Sequence, residues 1–188
     1  MRELSLHLLD VLENALEAGA SRVEIEIVED SRRNRLTIRI RDNGRGMDAD
    51  TLARVSDPFF TTRTTRSVGL GIPLLRAAAQ RCGGDLSTTS RPGEGTVVQA
   101  DFERAHIDRA PLGNIKATLL SILLSNRDCT LRYRHRVDDR EFAFDTEEIR
   151  AALGDVPLTH PQVREWLDRF LDEGLADLSG EPEENQHA

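Results

Sequence analysis

The chain has 188 residues, enough for a real core plus an appendage. Its 33 acidic and 25 basic residues leave a formal charge of -8, which argues against general nucleic-acid binding. No long apolar run or charged-then-apolar leader marks a membrane span or an export signal, so a soluble cytoplasmic protein is expected.

Two cysteines, Cys82 and Cys129, are too isolated for a disulfide framework or a metal knuckle. Lys116 is the only lysine, so a phosphate loop ending in Gly-Lys-Ser/Thr is absent. Any nucleotide must be held another way.

Residues 3–19 read as an amphipathic helix with Leu4, Leu8, Val11 and Ala15 on one face and Gly19 as its stop. His7, Asp10, Asn14 and Glu17 form a separate polar stripe. Such a stripe serves equally as a solvated face. The pair Asp10 and Asn14 points further: Asn14 offers a neutral oxygen to Mg²⁺, and Asp10 would orient or deprotonate a water or hydroxyl near a γ-phosphate.

Residues 22–29 alternate strictly and predict a strand with one wet face, followed by a polar turn at 30–34 and a second strand at 36–41. Asp42-Asn43-Gly44-Arg45-Gly46-Met47 comes directly after it. An ionised Asp42 accepts a hydrogen bond from the exocyclic amine of adenine and repels the carbonyl of guanine. Gly44 and Gly46 allow a tight turn close to a flat ligand. Asp-Asn-Gly is also ordinary turn chemistry, so this stretch does not decide the matter alone.

A short helix is expected at 48–55. Beyond it, Asp57 to Ile72 holds Phe59 and Phe60, a Thr/Arg loop and a second Gly-x-Gly. Between Pro58 and Gly84 there is no acidic residue, while Arg63, Arg66, Arg76 and Arg81 are present. Gly69, Leu70, Gly71 and Ile72 lead into a helical run to Arg81, which places amides at a helix N-terminus suited to phosphate. A loop closing over nucleotide, with Arg63 or Arg66 reaching the phosphates, competes with an ordinary surface loop.

Gly83-Gly84 ends that helix, and strands are expected at 85–90 and 96–103 around the turn Arg91-Pro92-Gly93-Glu94-Gly95. To residue 104 the order of elements describes an α+β two-layer sandwich, with helices on one face of a mixed, mainly antiparallel sheet. A polar connector at 105–112 leads to a small α/β interaction module at 113–178: an apolar helix from Ile115 to Leu124, a hairpin of Thr130–Val137 and Glu141–Phe144, and helices at 146–153 and 161–175. A disordered tail is expected from Ser179.

Two enzyme patterns fail on context. Gly44 to Ala49 fits a loose dinucleotide fingerprint, but the acid required about 20 residues on falls in the Thr/Arg loop. Tyr133-Arg134-His135-Arg136-Val137-Asp138 suggests a protein-kinase catalytic loop but lies in a strand pattern without the partner motifs.

Four boxes in order, Leu12 to Ala20, Asp42 to Met47, Phe59 to Ile72 and Gly93 to Thr96, resemble the ATP-binding domain of the Bergerat type shared by histidine kinases, type II topoisomerases, the mismatch-repair ATPase and the anti-sigma serine kinases. The resemblance implies Asn14 as Mg²⁺ ligand and Asp42 as adenine anchor. Gly44, Gly46, Gly69 and Gly71 are implied as backbone nucleotide contacts, with Gly93, Gly95 and Thr96 closing the adenine side. Met47, Phe59, Arg63, Arg66, Leu70 and Ile72 complete the expected ATP contacts, and Asp10 is the candidate catalytic residue.

Asp57 to Gly71 looks most like the lid of nitrogen-sensor-type histidine kinases. The chain opens on its first box, so no dimerisation helix carrying a phosphoacceptor histidine is expected before it. Asp10 stands where topoisomerase-like and anti-sigma members have glutamate, which implies slower hydrolysis. Glu17 stands where histidine kinases tend to have a basic residue, and Glu13 to Ala20 looks more like the mismatch-repair branch.

The chain also resembles stand-alone members of anaerobic bacteria encoded beside iron-only hydrogenase subunits. An ATPase, or a kinase acting on a separate protein, is therefore expected, with a non-hydrolysing ATP-gated binding module as the alternative. An oligomer contact through the C-terminal module is the further expectation.

Overall fold

Alternating stretches become strands that turn most of their apolar side chains to one face. The computed structural model describes residues 3–55, 71–125 and 128–179. In it Arg22–Asp30 (β1) and Arg35–Asp42 (β2) form the expected hairpin, pairing Ile25 with Ile40 and Ile27 with Ile38 on the buried face. Asp85–Arg91 (β3) and Gly95–Glu103 (β4) make the second hairpin, and β4 pairs antiparallel with β2. Val98, Ala100 and Phe102 join the same face, which helices bury.

Leu4–Glu17 (α1) and Gly71–Arg81 (α3) lie side by side in that helical layer, α3 touching β3 and β4. Ala49–Arg54 (α2) is a short surface helix capped by Asp48, whose carboxylate accepts from the Thr51 amide at 2.7 Å.

The C-terminal stretch extends both layers. Ile115–Leu123 (α4) packs against α1, and Pro161–Ser179 (α6) packs against α4. Thr130–Val137 (β5) pairs parallel with β1, Arg22 opposite Thr130, and Arg140–Asp145 (β6) closes the sheet, with Thr146–Leu153 (α5) following directly. The six-stranded order is β3-β4-β2-β1-β5-β6, mixed only at the β1–β5 pair. Residues from 113 onward thus share one sheet and one apolar core with the N-terminal stretch.

Polar contacts fasten this junction. Tyr133 Oη meets His135 Nδ1 at 3.1 Å, His135 Nε2 reaches Glu29 at 3.4 Å, and Arg104 pairs with Glu29 at 3.2 Å. The His135 hydrogen bond outweighs burial and, with Arg104, holds the Glu29 carboxyl below the usual carboxylate range. Asp138, at positive φ in the β5–β6 turn, accepts the Ser31 amide at 2.8 Å and pins the hairpin tip to the β1–β2 turn.

The connector also has a structural task. The α1 cap residue Glu3 makes no side-chain capping bond; instead the Leu4 and Ser5 amides donate to the carbonyls of Pro111 and Leu112 at 3.0 and 2.8 Å. The chain beyond residue 104 therefore sets where α1 begins.

Two expectations are corrected. Ser179 is the last residue of α6 and not the first of a tail, because the helix keeps burying Leu178. His7 does not share the exposure of the polar stripe: it is 4% exposed, packed inside, and its Nδ1 has no hydrogen-bond partner among the described residues.

Burial, with the charge of Arg81 nearby, pushes the His7 imidazole down from 6.5 to about 4. The unfolded chain then takes up a proton that the folded chain refuses, so His7 costs no stability above pH 6.5 and costs progressively more as pH falls toward 4. At pH 5 the cost is about 2 kcal/mol. His7→Leu is expected to flatten the fall of melting temperature between pH 7 and 5, read by scanning calorimetry; an unchanged slope would show that His7 does not titrate in this way.

Candidate functional site

The second box stands at the end of β2, where the strand carries Asp42 in on the helix-covered face. Asp42 is 9% exposed. Its Oδ1 accepts the Gly44 amide at 2.8 Å, and the nearby Thr96 amide also favours its charged form. Burial pushes the carboxyl up, and these two amides oppose that.

Register brings the fourth box beside the second, since Asp42 is opposite Thr96 on β4. The Gly93 amide donates to the Arg45 carbonyl at 2.8 Å, which joins the two turns directly. Gly46 and Gly95 are both at positive φ, and each is a glycine for a reason internal to the protein. A Cβ on Gly46 would lie 1.9 Å from the Arg91 carbonyl oxygen, and one on Gly95 would lie 2.0 Å from that of Asp42. The Met47 amide donates to Ser90 Oγ at 2.9 Å.

The first box reaches the same place from above. Asp10 and Asn14 of α1 and its cap residue Ala18 follow one another at four-residue spacing and share one stripe, about 6 Å apart. Both ends of that stripe are anchored by a glycine. A Cβ on Gly44 would sit 2.9 Å from the Ala18 methyl, and one on Gly71, at the start of α3, would sit 2.8 Å from Asp10 Cβ. Asn14 therefore lies between the Asp42 turn and the α3 N-terminus, with Arg45 held to the Ala18 carbonyl at 2.9 Å.

Ile72 is buried in the core, 8% exposed, so only its backbone is offered to a ligand. Phe59, Arg63, Arg66, Gly69 and Leu70, the expected lid, lie outside the described residues. Register and close approaches bring Asp42, Gly44, Gly46, Met47, Gly95 and Thr96 together at one end of the sheet, and the stripe of Asp10 and Asn14 runs from there to Gly71.

Among the described residues no group of three or more His, Cys, Asp and Glu stands together as a metal cage. A Mg²⁺-type ion is compatible with that donor set, because it takes one or two protein oxygens and completes its shell with water and phosphate. No helix of the described residues is long and apolar enough to cross a membrane. A cleft of about 500 Å³ lies on the opposite, outer face of the sheet among Glu24, Arg39, Arg41 and Arg132, and contains none of the candidate residues.

Two further residues of this region are absent from the sequence reading of the site. Asn43 uses both ends of its amide: its Oδ1 accepts the Ser21 and Arg22 amides at 3.0 and 2.8 Å, and its Nδ2 donates to Ser21 Oγ at 2.9 Å, clamping the Asp42 turn to the α1–β1 turn. Ser90 sits opposite Thr96 on β3. The hairpin turn at 91–95 already implied that pairing, so register was the signal for Ser90; nothing local marked the partners of Asn43.

Residues 2–106 match the family model described as histidine kinase-, DNA gyrase B-, and HSP90-like ATPase. The chain is 42% identical over 108 residues to the sensor protein kinase FleS of Pseudomonas aeruginosa, a match covering 57% of this chain and 26% of that one. It is 32% identical over 109 residues to a putative sensor protein of Shewanella frigidimarina, covering 57% of this chain and 17% of the relative. The chain thus spans about a quarter or less of the length of these curated relatives.

A crystal structure of the N-terminal domain of a DNA repair protein superposes with a TM-score of 0.55 at 15% identity, covering 76% of this chain and 52% of that chain, which is a likeness of fold. With the family model spanning more than half of the chain, this protein belongs to the histidine kinase-, DNA gyrase B- and HSP90-like ATPase family.

Proposed function

We propose that the chain binds Mg-ATP in the groove between α1, the Asp42 turn and the β3–β4 turn, and transfers or hydrolyses its γ-phosphate. The observation that carries the reading is the gathering of Asp42, Thr96 and the stripe Asp10–Asn14–Ala18, held together by the close approaches at Gly44 and Gly71.

Asp42 takes the exocyclic amine of adenine, and Thr96 stands beside it. Asn14 supplies a side-chain oxygen for the cation, which when bound neutralises phosphate charge. Asp10, at the α3 N-terminus, orients or deprotonates the attacking water or hydroxyl. The amide of Gly71 and those before it receive the phosphates. Arg63 and Arg66 are assigned to the phosphates as part of the lid expected from Asp57 to Gly71.

Residues 113–178 carry the surface for a separate protein partner or a second copy, in the cytoplasm. The second reading, an ATP-gated binding module, has one support: Asp10 is a methylene shorter than glutamate and is packed at its Cβ against Gly71.

The test is a thermal-shift titration with Mg²⁺ plus ATP or GTP, alongside release of phosphate from γ-labelled ATP. ATP is expected to raise the melting temperature and GTP is not. In Asp10→Asn, ATP still binds while turnover falls about 100-fold or more. Tight binding with no turnover in the parent protein selects the module.

A further inference from the structure

One residue in the row of side chains at the site has been given no part. Asp42, Thr96 and Ser90 are successive cross-strand partners on β2, β4 and β3, so their side chains stand next to one another on one face.

A serine hydroxyl has one proton and two acceptor positions. Ser90 Oγ donates to the Gly95 carbonyl at 2.8 Å and accepts the Met47 amide at 2.9 Å. Its remaining lone pair faces Thr96 Oγ1 at 3.0 Å. With the serine proton committed to Gly95, the last contact closes only when Thr96 is the donor. The reverse assignment would give up the bond to Gly95. Thr96 therefore has no proton left for a ligand and offers the groove lone pairs alone.

We propose that Ser90 is a positioning residue for base recognition, which draws off the Thr96 hydroxyl proton and so presents a second acceptor beside the Asp42 carboxylate. This rests on the adenine-nucleotide reading above and deepens it. Two neighbouring acceptors favour a ring edge that carries an exocyclic amine and disfavour one that carries a carbonyl. Without Ser90 the Thr96 hydroxyl turns freely and serves as a donor, so a carbonyl is tolerated. Ser90 touches no ligand itself; it acts through Thr96, and through Met47 and Gly95 it holds the two turns at a fixed separation.

The experiment compares ATP with inosine triphosphate, which has oxygen in place of the amine, by calorimetric titration with Mg²⁺ on the parent chain, Ser90→Ala, Ser90→Thr, Thr96→Val and the Ser90→Ala/Thr96→Val double variant. Ser90→Ala is expected to bind ATP about 10-fold more weakly and to lose the part of the preference for ATP over inosine triphosphate that Thr96 adds to that of Asp42. Ser90→Thr keeps the hydroxyl and the preference. The double variant loses no more preference than Thr96→Val alone, because the two side chains act as one unit.

A Ser90→Ala chain that binds ATP with the parent's preference, or losses that add fully in the double variant, would overturn the role of Ser90 and leave the nucleotide site standing. A parent chain that responds to neither triphosphate overturns both. Should Ser90→Ala not fold, Ser90→Thr set against Thr96→Val decides: equal preference in the two sinks the proposal.

Discussion

Asp42→Ala is expected to remove the rise in melting temperature that ATP produces while leaving the unliganded protein folded. The carboxylate is 9% exposed, and burial holds its pKa above the usual value. A raised carboxyl contributes stability only below its unfolded pKa, and that contribution is lost as pH rises through the folded one, so at neutral pH the buried charge is a cost. Against this, the variant gives up the bond to the Gly44 amide and the favourable field of the Thr96 amide. The two effects oppose each other, so the unliganded melting point moves little.

Binding has no such compensation. A hydrogen bond from an adenine amine to a desolvated carboxylate is worth about 1.5–3 kcal/mol, a factor of about 10 to 150 in affinity. Asp42→Asn separates charge from shape: its amide oxygen still accepts from Gly44, and its NH₂ faces the base as a donor. That variant is expected to lose ATP and gain GTP or inosine triphosphate. Titration calorimetry of the three chains reads both effects; unaltered ATP affinity in Asp42→Ala would remove the adenine anchor from the proposed function.

Gly95→Ala is expected to be severely damaging to the site. Gly95 has φ +89, and its Cβ would lie 2.0 Å from the Asp42 carbonyl oxygen and 2.8 Å from Asn43 Cα. Both are backbone atoms of the turn that holds the adenine anchor, so relief requires the turns to part. Left-handed strain and overpacking together predict a loss of about 3–5 kcal/mol. For a chain of this size that lowers the melting temperature by about 10 °C or more.

Gly93→Ala isolates the conformational part, because Gly93 has φ +77 and nothing within 4 Å of its would-be Cβ. Its cost is about 1 kcal/mol. Denaturant unfolding of both variants checks the contrast, and equal costs would show that the two turns are not in fixed contact.

Much of this was readable from residue order. The period of two in Arg22 to Glu29 and Leu36 to Arg41 located β1 and β2, and the apolar repeat from Leu4 to Ala15 located α1, because local alternation already states which side of an element seeks burial. The helix and hairpin of the C-terminal half followed in the same way. Their destination did not: a strand pattern at 130–137 says nothing about the partner it will find, and the partner is the free edge of β1.

The glycines show the same division. Their spacing pointed to a tight turn near a flat ligand. In the fold, Gly46 and Gly95 make room for backbone of the neighbouring turn, Gly44 for Ala18 and Gly71 for Asp10. His7 belonged by spacing to the polar stripe, yet the fold buries it.

The sequence by itself determined the elements, their buried faces and the family, because periodicity and box order are written locally along the chain. Tertiary structure alone decided that β5 completes the sheet beside β1, that connector carbonyls start α1, and that Ser90 completes the row with Thr96 and Asp42. Those outcomes depend on which surfaces meet and on where single protons go, and a one-dimensional pattern carries neither.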